Sequence, residues 1–409
     1  MNKPVNIGLF GFGCVGQGLY EILRRNNTDT FRIKKICVKN QDKSRPLPEE
    51  YFTYCADDIL LDQEIDVVVE LIDDAEAAFS LLQKALQQGK HFVTANKKMV
   101  ACHMEDVHSM QQIYNRAVLY EAAVCGSIPI IRTLEDYYAS EEILSLEGIF
   151  NGSTNYMLTR VLENGLSFAD ALTEAQQQGF AEADPSLDVD GTDPKYKLSI
   201  ALWHAFGVEV KPDQIFSIGI RHVGKAEAEF ARLNQFTIKL CVHASRQGKL
   251  LQGWVAPQFV PATHHLSNIR HEYNAVYMNG SYAGRQLLVG KGAGSLPTAL
   301  AVLSDLSSLL SGYRYGQRKR NQNGELSFSG DPVVKAWVRF HGDQLPDIQY
   351  FEKVDCGYAN RFIQCFIGDV RLHHLARMAG EGASVVLLPE SFPVQHLSLR
   401  APAHLQQVA

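Results

Sequence analysis

The chain has 409 residues and a formal net charge of −6, a balance too acidic for a protein whose main partner is a phosphate backbone, so nucleic acid is excluded as a partner. No apolar run reaches bilayer-spanning length, and MNKPVNIGLFGFG lacks the apolar core and small-residue cleavage site of a signal peptide; a soluble, cytoplasmic protein with no membrane partner is expected. Eight cysteines scattered without a CxxC pair argue for reduced thiols and against zinc–thiolate chemistry, in a chain long enough for two or three domains.

From the amino end, VNIGLF (5–10) predicts a short buried strand, followed at once by GFGCVGQGL and the apolar-periodic start of a helix. Gly11-x-Gly13-x-x-Gly16 therefore sits where a strand turns into a helix, the context in which this fingerprint cradles a dinucleotide. Gly11 permits the tight turn, Gly13 lets backbone approach a pyrophosphate, and Gly16 lets helix and strand pack closely. Cys14 and Val15, at the helix N-terminus, would face the phosphates. The next strand, RIKKICV, runs into Lys39, Asn40 and Gln41, with Lys43 and Arg45 behind, where an NAD-preferring site carries Asp or Glu for the ribose 2′-hydroxyl. A basic end favours NADP, with Lys39 as the candidate for the 2′-phosphate; NAD is the alternative cofactor, and a solvated loop is the alternative reading of these residues.

Strand-like runs at 66–71, 91–94 and 119–124 alternate with helical stretches at 77–88 and 104–117, predicting a Rossmann-type parallel sheet covered on both faces. In HFVTANKKMV, Thr94, Asn96 and Lys97 fall just beyond a strand's carboxyl end, the edge at which open α/β sheets bind ligands. A surface lysine pair is the competing reading. This first domain is placed at 1–133 and completed by 297–315.

EAAVCGSIPII (121–131) and LEGIFNGSTNYML (146–158) lead into a second, α+β domain placed at 134–296. It contains GFAEADPSLDVDGTDPKYKLSIALWHAF (179–206), in which Glu182, Asp184, Asp188, Asp190 and Asp193 precede an apolar helix that carries Lys197 in its first turns. Pro194 suits the first helical position and Asp193 the cap before it, while the apolar run to Phe206 brings the charged end into an interior. Either this is a capped helix with a surface ion pair and a solvated acidic loop, or five carboxylates converge on a lysine that handles a proton while acids hold an amino group. The dinucleotide fingerprint in the same chain favours the second.

Runs at 236–240 and 253–260 and a hairpin within 273–294 predict a mostly antiparallel sheet. The glycine-rich turn ending at Gly294 then leads through Pro297 into TALAVLSDLSSLL, returning the chain to the cofactor. The stretch 314–324 reads as a basic polar linker, and 325–409 as a small α+β appendage with strand-like KAWVRF, NRFIQCFIGDV and ASVVLLP.

The order GxGxxG, TANK, EAxVxGxIPII, GIxNGSTNY and GxAExDPxxDVxGxDxxxKL, spread over roughly 5–310, resembles the homoserine dehydrogenases. The resemblance implies an oxidoreductase of threonine, methionine and isoleucine biosynthesis that interconverts L-homoserine and L-aspartate 4-semialdehyde with NAD(P). It implies Lys197 as proton donor or acceptor beside Asp193, Glu182 and Asp188 as substrate-side acids, Lys97 at both substrate and nicotinamide, and Thr94 and Gly294 at the cofactor. It further implies a monovalent cation, usually sodium, held by Glu121 and the carbonyls of Val124, Gly126 and Ile128, a homodimer, and a divergent ACT-like regulatory domain at 325–409.

The chain departs from the family pattern in Cys125-Gly126, where Gly-Gly or Gly-Ala is usual, and in Ser153, where a second Thr is usual. His341-Gly-Asp-Gln344 stands where an ACT domain carries its Asp/Asn-x-Pro-Gly turn, which argues against feedback by threonine. Two other classes compete. A non-catalytic NADP-binding sensor would have no need for Lys197, and a semialdehyde dehydrogenase would require a nucleophilic cysteine near a histidine, a setting none of the eight cysteines has.

Overall fold

Short runs of Val, Ile and Phe near the amino end become strands whose side chains are covered on both faces, as a parallel sheet requires. These are β1 (Val5–Phe10), β2 (Phe31–Cys37), β3 (Phe52–Thr53), β4 (Val67–Glu70), β5 (His91–Thr94) and β6 (Val118–Leu119), with the order β3-β2-β1-β4-β5-β6. All the registers within this sheet are parallel, and the order reverses between β1 and β4, the topological switch at which doubly wound sheets bind ligands. Phe10, Glu70 and Thr94 are register partners, so they form one row at the sheet's carboxyl edge.

The computed structural model describes residues 3–26, 29–322, 326–341, 348–359 and 363–389. They divide into a first compact unit, Met1–Ser140, Ser199–Lys211 and Gly290–Asn323, and a second, Glu141–Leu198, Pro212–Val289 and Gly324–Ala409. These units meet at 140/141 and 289/290, and the helix Thr192–Phe206 begins in the second unit and continues in the first from Ser199.

Two expectations for the first unit are corrected. The strand foreseen at 119–124 stops at Leu119 and gives way to a tight turn over Glu121–Ala123, because the Glu121 N–H goes to Asp305 at 2.9 Å and its carboxylate turns to cap the helical turn Ile130–Arg132. The basic stretch after Arg314 is packed rather than a linker. Tyr315 is buried with its hydroxyl on the Tyr120 N–H, and the Glu135 carboxylate accepts the backbone N–H groups of Gly316 and Gln317, each at 3.0 Å.

In the second unit the strands are β7 (Ile143–Ile149), β8 (Phe216–Ser217), β9 (Phe236–Gln247), β10 (Leu250–Pro261), β11 (Tyr273–Gly280), β12 (Gly284–Lys291), β13 (Ser327–Ser329), β14 (Val333–His341), β15 (Phe351–Ala359), β16 (Ile363–Arg371) and β17 (Ser384–Leu387). They form one sheet of 11 strands, ordered β12-β11-β7-β9-β10-β17-β14-β16-β15, with β8 and β13 also on β10. Its registers are antiparallel from β11 through β10, as expected, and the carboxyl-terminal strands extend the same sheet. A core of Trp254, Ala256, Val338, Phe351, Leu375 and Val385 runs across that junction. Gly342 to Gln344, in the motif that replaces the ACT turn, lie outside the described residues, as does everything after Pro389.

Candidate active site

The glycine fingerprint folds as its residues dictate. Gly11 has φ +90°, and a Cβ there would meet the Leu71 carbonyl oxygen at 2.5 Å; a Cβ at Gly16 would meet the Gly11 carbonyl oxygen at 2.7 Å. Both positions therefore exclude any larger residue. Gly13 is exposed with nothing within 4 Å of a Cβ, so the turn offers bare backbone to a ligand just before the helix Cys14–Asn26. Cys14 is exposed and Val15 partly so. Gly294, with φ +123°, precedes the helix Ser295–Leu309, and the Ser295 hydroxyl donates to the Cys14 carbonyl at 2.7 Å, so Gly294 is brought to the fingerprint helix. The geometry fits a dinucleotide pyrophosphate.

Lys39 is exposed in the turn beyond β2. Arg45 packs its guanidinium 5.2 Å above the Phe52 ring and donates to the carbonyls of Lys43 and Asn40. Phe52 in turn lies edge-on to Phe12, inside the fingerprint, with centroids 5.6 Å apart. Lys97 is partly buried and opens the helix Lys97–Cys102, which Asn96 caps through the Met99 N–H at 2.9 Å. Thr94 is fully buried, its hydroxyl donating to Glu70 and accepting the Asn96 N–H at 2.9 Å.

In the second unit, Lys197 and Asp193 are one helical turn apart and both buried, with 7% and 3% of their surface exposed. The Lys197 ammonium donates to Asp193 Oδ2 and to the Phe150 carbonyl, each at 2.7 Å. Asn151, also buried, donates its amide to Asp193 Oδ2 at 2.8 Å and to Asp188 Oδ1 at 2.7 Å, while its Oδ1 accepts the Thr154 N–H at 2.8 Å. One amide thus caps the helix Gly152–Asn164 and orients two carboxylates. The helix bearing Lys197 starts at Thr192, so Asp193 lies inside the first turn and serves as the lysine's partner rather than as the cap.

The five acids do not converge on Lys197. Asp190 forms a two-pronged ion pair with Arg221, Asp184 accepts from Ser186 Oγ at 2.6 Å, and Glu182 is exposed. Sequence reasoning passed over Asn151 and the Phe150 carbonyl; the asparagine stood in view in IFNGSTNY, but an amide's partners depend on the fold.

The residues foreseen for a cation lie in the first unit. Cys125 and Gly126 both turn through the left-handed region, at φ +56° and +52°, and a Cβ at Gly126 would meet the Gly292 carbonyl oxygen at 2.6 Å. The usual glycine before it is thus replaced by a residue that adopts a strained conformation. Val124 and Ile128 are buried on either side, and the Ile128 carbonyl accepts the Ile130 N–H at 2.8 Å. Glu121 accepts the N–H groups of Ile131 and Arg132, each at 2.8 Å, and burial beside Asp305 pushes its carboxyl up to about 8. Asp305, fully buried, is pushed to about 7 by burial, against the opposing pull of the Glu121 N–H and of Arg132, whose guanidinium lies 3.2 Å away. The guanidinium thus contacts Asp305, whereas Glu121 meets Arg132 through its backbone N–H.

A family model described as the NAD binding domain of homoserine dehydrogenase matches residues 11–121, and one described as homoserine dehydrogenase matches 129–307. The homoserine dehydrogenase of Lactococcus lactis is 32% identical, covering 97% of this chain and 94% of its own. The chain belongs to the homoserine dehydrogenase family. The Bacillus subtilis homoserine dehydrogenase is 36% identical over 88% of this chain and 86% of its own, and the crystal structure of the Thiobacillus denitrificans homoserine dehydrogenase superposes with a TM-score of 0.83 at 29% identity, covering 95% and 98% of the two chains. This is a family of NAD(P)-dependent oxidoreductases acting on a CH–OH group, and among the described residues no helix is long and apolar enough to cross a membrane.

Proposed function

We propose that the chain catalyses the reversible oxidation of L-homoserine to L-aspartate 4-semialdehyde, with NADP as the favoured dinucleotide and Lys197 as the group that exchanges the hydroxyl proton. The observation that carries the reading is the hydrogen-bonded array Phe150–Lys197–Asp193–Asn151–Asp188, buried up to the partly exposed Asp188, in a family defined by this reaction. An ammonium has three N–H groups; two are taken by Asp193 and the Phe150 carbonyl, which aims the third. In the reducing direction that hydrogen passes to the aldehyde oxygen as it becomes a hydroxyl. In the oxidising direction the neutral amine takes it back from homoserine. The dinucleotide, when bound, supplies or accepts the hydride at the same carbon. The carboxylates of Glu182, exposed, and Asp188, partly buried, are suited to the substrate's ammonium group, and the partly buried Lys97 to the substrate and the nicotinamide.

Gly11, Gly13, Gly16 and Gly294 would hold the pyrophosphate, and Lys39 with Arg45 the 2′-phosphate. A monovalent cation at Glu121 is supported by the two buried carboxyls there, Glu121 and Asp305, with one guanidinium, that of Arg132, beside Asp305; a bound cation would offset their burial and favour the ionised forms. Strand β12 is a sheet edge exposing Leu287 and Val289, at 36% and 48%, which supports association with a second copy of the chain. Within the appendage, β17-β14-β16-β15 is the order 4-1-3-2 with the helix Leu372–Gly380 between its third and fourth strands, the pattern of a ferredoxin-like ACT fold. The described residues between its first two strands form only the short turn Ile348–Tyr350, which supports a divergent form.

The test is growth of reduced-nicotinamide absorbance when the purified chain receives homoserine and NADP, with NAD in parallel. Absence of signal with both dinucleotides, in a folded preparation, removes the reading.

A further inference from the structure

The mechanism above makes no use of Glu70, a carboxylate buried to 0% exposure at the end of β4, in the row of the sheet edge next to the topological switch. Its hydrogen bonds close a ring. Glu70 Oε1 accepts the Ile72 N–H at 2.6 Å; the Ile72 carbonyl accepts Asn96 Nδ2 at 3.0 Å; the Asn96 N–H donates to the Thr94 hydroxyl at 2.9 Å; and that hydroxyl donates back to Glu70 Oε2. Two of the four links, Asn96 to Ile72 and Thr94 to Glu70, join the end of β4 and its loop to the end of β5 and its loop; the other two brace each loop locally. The first of these loops also supplies the Leu71 carbonyl on which Gly11 is seated, and the second ends at Lys97. Three loops of the sheet edge are thus keyed to one buried carboxylate.

We infer that Glu70 is a positioning residue for the dinucleotide site, its ionised carboxylate locking the fingerprint turn and the Asn96-Lys97 helix start into one arrangement. The ring requires acceptance at both carboxylate oxygens, because Ile72 and Thr94 each present a hydrogen to it. Protonation of Oε2 would turn one acceptor into a donor and release the Thr94 hydrogen from its place. Burial holds the Glu70 carboxyl up to about 7, so the ring changes state in the neutral range. The charged side chain acting on it is Asp73, on its own loop, while β1 and β5 on either side present Phe10 and Thr94 in register.

This inference rests on the proposed dinucleotide site, and the experiment separates the two. Dinucleotide dissociation constants are measured from pH 5.5 to 8.5 for the wild type, Glu70→Gln and Thr94→Val, with NAD as the probe because it lacks a 2′-phosphate that titrates in this range, and with homoserine KM measured alongside. Wild type is expected to bind several-fold more tightly as pH rises through neutrality. Glu70→Gln should bind roughly 10-fold more weakly at pH 8, with a flat pH profile and a homoserine KM within about twofold of wild type. Thr94→Val, which keeps the carboxylate but breaks the ring, should show the same loss, and the double variant no more than either single. It also keeps the inference testable if Glu70→Gln does not fold. A wild-type pH profile retained by folded Glu70→Gln or Thr94→Val overturns the inference while leaving the dinucleotide site standing. No binding of NAD or NADP by wild type overturns the site itself.

Discussion

Two regions treat buried charge in opposite ways: the acids Glu70, Glu121 and Asp305 of the first compact unit, and the Lys197 array of the second. In the second, Lys197 is matched by Asp193 and a carbonyl, and the acids around it are held by the amide of Asn151. In the first, Glu70 has hydroxyl and backbone donors for partners, Glu121 has backbone donors, and one guanidinium lies beside Asp305. A matched pair keeps its geometry whatever small ions are present, whereas an unmatched carboxylate retains its charge at neutral pH only if a cation or a donor network compensates it. The difference suits the proposed work, in which one region moves a proton along a fixed line and the other adapts to ligands that come and go.

The sharpest way to break this comparison is Lys197→Ala. If the pair is the proton path, kcat falls by on the order of 10³ while dinucleotide affinity stays within about threefold, because the loss is confined to the second unit. The variant also leaves Asp193 buried without its cation, so a stability loss of about 3 kcal/mol is expected. Steady-state kinetics beside equilibrium binding and a denaturation curve distinguish the two effects. A folded variant that retains turnover would mean the pair is only structural.

The unmatched acids of the first unit give the next largest effect, and its sign is fixed by burial. Glu121 and Asp305 are pushed up to about 8 and about 7, from 4.5 and 3.8, so the folded chain binds their protons more tightly than the unfolded chain does. Their contribution to stability is full below pH ~4 and is lost as pH rises through 7 to 8, a fall of about 3–5 kcal/mol for the coupled pair. Denaturation midpoints between pH 5 and pH 8.5 should therefore decline in choline chloride. Sodium chloride should restore the alkaline side if a monovalent cation binds there, and Glu121→Gln should flatten both curves. An identical decline in the two salts would count against the cation.

Asn151→Ala comes third. It removes the hydrogen bonds that one buried side chain makes to Asp188, Asp193 and Thr154 and leaves the two acids without the amide between them, at a cost of about 1–3 kcal/mol, so kcat should fall roughly 10- to 100-fold with dinucleotide affinity unchanged. Unaltered turnover would show that Lys197 and Asp193 hold their line without it.

What was legible in the sequence follows the same division. The first sheet could be read because glycine spacing and apolar runs are local signals: β1 and β5 fall where VNIGLF and HFVT placed them, and Gly11 and Gly16 make the close contacts foreseen for them. Where a distant partner decides the local structure, the reading failed. The strand at 119–124 is cut short by Asp305 and by the cap that Glu121 supplies, and the apparent linker after Arg314 is pulled in by Glu135 and Tyr120. The acidic loop shows both cases. The Asp193–Lys197 pair is helical spacing, whereas the capture of Asp190 by Arg221, 31 residues away, and the bridging by Asn151 are set by the fold. Counting carboxylates in a loop overstates how many meet.

The smallest expected effect concerns the end of β2, where matching is again partial. Lys39 is exposed, and a solvated lysine meeting a phosphate contributes modestly, so Lys39→Ala should weaken NADP binding about three- to fivefold and leave NAD unchanged. Arg45 is held more firmly, by the Phe52 ring and by two backbone carbonyls, and a guanidinium fixed in advance loses less freedom on binding. Arg45→Ala should therefore lower the NADP-to-NAD preference more than Lys39→Ala, by about 10-fold, and Arg45→Lys should not restore it. Side-by-side KM values for the two dinucleotides check this. If Lys39→Ala has the larger effect, the flexible charge rather than the anchored one reads the 2′-phosphate. If neither variant alters the ratio, this loop is solvated and plays no part in cofactor choice.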